Sequence, residues 1–392
     1  MRTVSAFRLI PLAAAAITAA CAGETSTNPI SSNAATPAVE ARRGESDGGG
    51  AVYTMTNGTT ENEIVAFRRA ESGELSPIGS YRTGGAGTGG TIDPLVSQYS
   101  LVLSDDHELL FAVNAASNSI TSFQVREDGE LTQSRVISSG GTRPVSIAVR
   151  RNLLYVLNAG SNTLQGYRIG ESGRLAPLPG ASAELPAGAA GAAAVRFTRD
   201  GQHLIVAERS SNRIDVFVVK SNGRLADVTT FASHGRAAFG FDVTPRNDVI
   251  VSETGSNPPN GGISSYALRG GSLSLVTGSV SSGGAAACWL LNTQDGRFSY
   301  VVNSASATIG AFAVSRDGSV SSIGGSAALT STGANSVPLD PAFSAGDKFL
   351  YVLEGRSGDI SGFAVGEDGA LTPASAVRAG AGASGLQGLA AF

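Results

Sequence analysis

In VAERSSNRIDVF, residues 206–217, Glu208 and Arg209 stand where related stretches of the chain carry asparagine and a small residue: VLNAGSNTLQGY, AVNAASNSITSF and VVNSASATIGAF. Glutamate recurs at Glu253, and between the two lies FASHGRAAFGF with His234 and Arg236. A carboxylate can act as general base and an imidazole as its partner acid or base, while a guanidinium holds an anionic substrate or a developing oxyanion. Glu208, Glu253 and His234 are therefore the candidate catalytic residues, with Arg209 and Arg236 as candidate substrate-binding residues. The competing reading is that Glu208 and Arg209 are solvated rim charges forming weak pairs.

What must position these residues is a repeat. A Gly-containing turn followed by a hydrophobic residue recurs seven times, ending at Leu75, Leu131, Leu175, Leu225, Leu273, Val320 and Leu371. Seven or eight residues earlier lies an aromatic (Phe67, Phe123, Tyr167, Phe217, Tyr266, Phe312, Phe363), and three before that an Ile or Leu, as at Ile64, Leu164 and Ile214. Each unit of 44 to 56 residues reads as four short strands. Seven such units predict an all-β fold, a seven-bladed β-propeller of four-stranded antiparallel blades over 51–392. The first unit lacks its first strand and GLQGLAAF, 385–392, has no unit of its own, so the C-terminal segment is expected to close the ring.

In an antiparallel meander the connections alternate between the two ends of the sheet. The tight Gly turns fall on one face, here called lower, where they leave little room for a site. The Asn or Glu position closes the second strand of each blade on the upper face, reading Asn57, Asn114, Asn158, Glu208, Glu253, Asn303 and Glu354 around the ring. Asparagine there is expected to satisfy backbone groups of the adjoining loop. His107 and His203 fall on the lower face as solvated or half-buried imidazoles, whereas His234 lies in a connection between blades on the upper face. Imidazoles at opposite ends cannot share one ion, so no metal is expected. Arg143 and Arg356, also in upper loops, are further candidates for holding an anion.

The first residues carry Arg2 and Arg8 ahead of an apolar run of about a dozen residues, the length of a signal peptide and too short for a bilayer span. Residues 1–21 are read as that leader, 22–50 as a Ser/Thr/Pro/Gly-rich tether. TAAC at 18–21 resembles a lipobox with Cys21 as the lipidated residue; cleavage after Ala22 is the alternative. Export to the periplasm, the cell surface or the medium is expected, with the membrane touched only through such an anchor. Two cysteines, Cys21 and Cys288, allow no disulfide framework to be assigned, and Cys288 reads as a buried small hydrophobe. The net charge of −4, which becomes −6 without Arg2 and Arg8, and the absence of a basic stripe argue against nucleic acid as a partner.

RNLLYVLN, DGRFSYVVN and AGDKFLYVLE, with the I-x-x-[FY] and DGxL elements after them, resemble the seven-bladed lactonase family over about 340 residues. That family includes cytoplasmic 6-phosphogluconolactonases and fungal carboxymuconate lactonizing enzymes. VAERSSNRID, FGFDVTP and ACWLLNTQDG are more similar to an exported branch described as carboxymuconate cyclase-like. The resemblance implies hydrolysis or formation of a lactone, with Glu, His and Arg at the upper mouth and no redox cofactor. One departure matters: the cytoplasmic enzymes have a Gly-Pro-Arg-His segment where this chain has AGAAGAAAVRF, 187–197, without histidine and with Arg196 inside the strand. Two classes follow: a monomeric enzyme acting on a small anionic lactone or its open acid, or a non-catalytic binding propeller of the cell envelope.

Overall fold

The computed structural model describes residues 49–255, 261–325, 329–334, 336–382 and 384–392. The leader, Cys21 and the tether up to residue 48 lie outside the described residues. Helix among the described residues is confined to two 3-10 turns, Glu171–Gly173 and Ala345–Asp347, and none of it is long and apolar enough to cross a membrane.

The described residues form seven antiparallel four-stranded sheets, six of them from consecutive strands and the first from the last strand and the first three, with Thr330–Ser331 as an extra short strand on the sixth. Their first strands, Leu101–Leu103, Pro144–Arg150, Ala192–Phe197, Ala238–Val243, Ala287–Asn292, Pro338–Phe343 and Gln387–Ala391, pack one against the next in a closed ring around the axis. This is the expected seven-bladed propeller. Second strands such as His203–Glu208 and Phe349–Glu354 are buried along their whole length because neighbouring blades cover both faces. They accordingly read as continuous apolar runs rather than alternating ones. The outermost strands, such as Leu75–Arg82, are exposed or half-buried along most of their length.

The repeat has a physical cause in bonds between blades. The tyrosine of the second strand donates its hydroxyl to a glycine carbonyl in the Gly turn of the next blade: Tyr53 to Gly129 at 2.9 Å, Tyr155 to Gly223 at 2.7 Å, Tyr300 to Gly369 at 2.9 Å and Tyr351 to Gly73 at 2.8 Å. The last of these joins blade VII to blade I. Gly73 has a φ of +84°, and an added Cβ would lie 2.4 Å from the Phe349 ring, so the turn requires glycine both for its backbone and for its packing.

The ring closes as the sequence predicts. Gln387–Ala391 pairs antiparallel with Gly50–Met55 (Val52 opposite Ala391, Thr54 opposite Leu389), forming the first strand of blade I. Thr54 Oγ1 donates to Gly388 O at 2.8 Å and Arg69 Nε to Phe392 O at 3.0 Å.

One element is not foreseen. The connection from blade I to blade II, residues 83–100, is eighteen residues long, whereas the others, counted in blade VI from the extra strand Thr330–Ser331, have five to eight. It enters the channel and bonds to the first strands across it. Gln98 exchanges bonds with both backbone groups of Leu290 (2.7 and 3.2 Å) and donates its own N–H to Ala193 O at 2.9 Å. Ser97 Oγ donates to Val145 O, and Trp289 Nε1 to Ser97 O, each at 2.8 Å. Gly240 leaves the room this needs: a Cβ there would stand 2.1 Å from Gln98 Oε1.

Candidate functional site

The seven Asn or Glu positions fall where the repeat puts them, and from Asn114 onward each is the last residue of its second strand. Their side chains turn into the blade. Asn158 Nδ2 donates to Ser139 O at 3.0 Å and Asn303 Nδ2 to Ser282 O at 3.3 Å, as expected of asparagine. The glutamates do the same work with a longer reach. Fully buried Glu208 accepts from Ala190 N at 3.2 Å and from Ser211 Oγ. Fully buried Glu253 accepts from Gly235 N at 2.8 Å, from Ser264 Oγ at 2.5 Å and from Ser279 Oγ. Burial and a hydrogen bond with Glu208 push Asp215 up to about 7. Burial pushes Glu354 up to about 8.

His234 is exposed at the upper rim; its backbone N–H donates to the Tyr266 hydroxyl at 2.7 Å, and its ring lies against Gly278 of the outermost strand Ser272–Ser281. Among the described residues no hydrogen bond links Glu208, Glu253 and His234 into one group. The three candidate catalytic residues thus stand as two buried carboxyl groups bonded to loop groups and one exposed imidazole at the rim. Arg236 and Arg356 are exposed on the same face. Arg143 Nη2 donates to Pro94 O at 3.3 Å and Leu95 O at 3.5 Å, so it fastens the long connection and has a structural task. On the lower face His107 stacks on Phe392 at 5.4 Å, and His203 is buried.

Other groups gather near the axis. Asp93, on the long connection, and Asp340, on the first strand of blade VII, are both buried. Asp340 Oδ2 accepts from Gln387 Nε2 at 3.0 Å and Gly388 N at 3.1 Å, while burial pushes the group up to about 7. Asp93 Oδ1 accepts from Val96 N at 3.0 Å and its Oδ2 has no protein partner. Burial, and then the charge of Asp340, raise Asp93 well above the usual carboxylate range; the Arg209 guanidinium acts against them. Of the arginines read from the sequence, Arg209 is the one whose charge acts on Asp93. The composition signal that could have exposed the pair is the long connection itself, since an eighteen-residue loop in a compact repeat calls for a function. A second signal is Pro338 and Pro341 flanking Asp340 in an inner strand, where a register shift between them accommodates the prolines.

Seven blades around a channel that the connection 83–100 enters define a seven-bladed propeller. Residues 98–187 and 174–257 match the family model described as Lactonase, 7-bladed beta-propeller, so over that part the chain is similar to the family that the repeat resembles. The match spans blades II to IV and the start of blade V. Solved structures agree in fold. A candidate 6-phosphogluconolactonase from Bacteroides fragilis is 18% identical, with a TM-score of 0.68, covering 89% of this chain and 99% of that one. A periplasmic gluconolactonase from Pseudomonas aeruginosa is 18% identical, with a TM-score of 0.66 and 86% and 98% coverage. Virginiamycin B lyase from Staphylococcus aureus aligns more loosely, with 13% identity, a TM-score of 0.50 and 71% and 83% coverage. Likeness at these identities is likeness of fold, and the same scaffold evidently carries different chemistries. No curated protein matches the sequence.

Proposed function

We propose that the chain is an exported lactone hydrolase whose reaction takes place at the Asp93–Asp340–Arg209 group. The observation that carries this reading is a pair of buried carboxyl groups in a lactonase-like propeller, Asp93 with one oxygen that has no protein partner and Asp340 on the first strand of blade VII, with the Arg209 charge acting on Asp93. Carboxyl groups raised by burial are suited to proton transfer near neutral pH. Asp340, ionised above about pH 7, takes a proton from water; the water oxygen adds to the lactone carbonyl, and the oxyanion forms against Arg209. The ring C–O bond then breaks, and its oxygen takes the proton held by Asp93. One water is consumed and one hydroxy acid released. Residues 91–97 act as the cover over this group, a role that the positive φ of Asp93 (45°) and Val96 (54°) supports, because strained backbone gathers at clamps and switches. The leader-like first residues and the fold shared with a periplasmic gluconolactonase support export and a sugar-acid lactone as substrate.

The test is hydrolysis of five- and six-membered sugar-acid lactones by the full chain, Asp340→Asn and Arg209→Gln. Both substitutions are expected to lower kcat by about a hundredfold or more. The rival assignment makes His234→Ala the damaging change instead. Turnover unaffected by Asp340→Asn overturns the mechanism, and a wild type that hydrolyses none of the panel returns the protein to the non-catalytic class.

A further inference from the structure

The lower mouth, where tight turns leave no obvious room, holds a cavity of about 220 Å3 on the axis. At ~30 Å3 for each liquid water that is space for about seven, well beyond one structural water and close to the size of a pyranose. One side of the cavity is apolar, with Leu103, Phe343 and Leu389 among its residues. The other side is polar and largely fixed. Arg196 is held by Asp242, Nε to Oδ1 at 2.8 Å, and lies over the Tyr99 ring at 4.6 Å. Asp242 Oδ2 accepts from Asn292 N at 2.9 Å, and Arg199 Nε donates to Val243 O at 3.1 Å.

Against this order two groups stand out. Asn292, only 3% exposed, lines the cavity with no protein partner for either its Oδ1 or its Nδ2. Asp347 accepts from Gln294 N at 2.5 Å through Oδ2, while its buried Oδ1 has no protein partner. Buried polar atoms are nearly always paired, and one carboxamide with both ends unpaired requires an explanation. A carboxamide offers a donor and an acceptor side by side, and the carboxylate oxygen adds an acceptor. The complementary group is one that both donates and accepts, which a hydroxyl does. Charge points the same way: two guanidinium groups, Arg196 and Arg199, face two carboxyl groups, Asp242 and Asp347, so the wall has no excess to select an anion. Flat polar side chains opposite an apolar, partly aromatic wall suit a ring with polar edges and apolar faces.

We propose that the lower mouth is a second binding site, taking a small neutral polyhydroxylated ring of the monosaccharide class, whose hydroxyls pair with Asn292 and Asp347. It is separate from the carboxylate group near the upper side and does not depend on the reaction assigned there.

The experiment uses the full chain with glucose and myo-inositol as probes and gluconate as the charged comparison, read by calorimetry and saturation-transfer NMR. Neutral probes are expected to bind wild type saturably and more tightly than gluconate. Asn292→Leu, close in volume but without polar atoms, is expected to weaken them about tenfold or more with no fall in unfolding midpoint, since it removes two unpaired buried groups. Asp347→Asn, a smaller change, is expected to weaken them less, and Asp340→Asn to leave their binding intact even where lactone hydrolysis is lost. Absence of saturable binding to wild type would mean that water alone occupies the cavity and would overturn the proposal, as would equal affinity in Asn292→Leu. Joint loss of probe binding and hydrolysis in Asn292→Leu would move the reaction to this mouth and overturn the assignment of two separate sites.

Discussion

Glu354 shows what the end of the second strand asks of a side chain. The position is buried in all seven blades, and asparagine meets it without charge, whereas glutamate must either collect donors, as Glu208 and Glu253 do, or keep its proton. Glu354 keeps its proton: burial moves it from an ordinary 4.5 to about 8. Between those two values the unfolded chain has lost a proton that the folded chain retains, so this group makes stability fall as pH rises from 4.5 to 8, with no further change above. Glu354→Gln removes the titration. The variant should gain on wild type across that window, by at most ~1.4 kcal/mol for each pH step of one, and the gain should level off above it. Unfolding midpoints of both proteins at several pH values check this; a gap that does not widen with pH would contradict it. The register of this position was legible because it recurs in every unit. Its role was not, because the partners of Glu208 and Glu253 include loop amides that have no sequence signature, and a glutamate bound to Ala190 N reads the same as one poised for catalysis.

At the scale of elements, strands and turns could be read because each blade restates them, with tyrosine and Gly turn marking both partners of an interblade bond. The connection 83–100 is stated only once, and so the repeat said nothing of where it goes. Its place in the channel depends on Gln98, which satisfies the N–H and C=O of Leu290 as a neighbouring strand would. In Gln98→Leu both backbone groups keep their burial and lose their partner, at a cost of about 1–3 kcal/mol for an unsatisfied buried group. The substitution should lower the denaturant midpoint and release residues 91–97 to faster amide exchange, while exchange in the outermost strands stays at its wild-type rate. Uniform acceleration throughout the molecule would mean that Gln98 supports the whole ring rather than this element. The same loop explains why chemistry was sought at the rim: with Asp93 brought to the axis by a segment lacking any repeat counterpart, the carboxylate pair joins residues far apart in sequence, on elements of different kinds.

The whole molecule depends on where its ends meet. Without Gln387–Ala391, blade I has no first strand, the fully buried Val52 and Tyr53 lose their cover, and buried Asp340 loses the amide donors of Gln387 and Gly388. A chain stopped at residue 384 should therefore lose cooperative unfolding and bind hydrophobic dyes, whereas a chain lacking Phe392 alone forfeits the bonds from Arg69 to Phe392 O and from Phe392 N to Ala51 O and the ring contacts with Tyr53 and His107, and should keep a cooperative transition at a lower midpoint. Truncation by itself cannot separate ring closure from general damage, and the geometry supplies the control. Gln387–Ala391 runs antiparallel to Gly50–Met55, and Phe392 N lies 3.0 Å from Ala51 O, so the end of the last strand stands beside the start of the first. Residues 385–392 placed ahead of Gly50 through a short glycine-rich turn would make blade I a continuous meander like the other six. That permuted chain should recover a single unfolding transition within about 1–2 kcal/mol of wild type, because closing a short hairpin replaces a connection that previously ran through the whole ring. If the truncated chain unfolds at the wild-type midpoint, or the permuted chain fails to regain it while its blade I pairing is restored, then closure by the C-terminal strand is not what holds the propeller together.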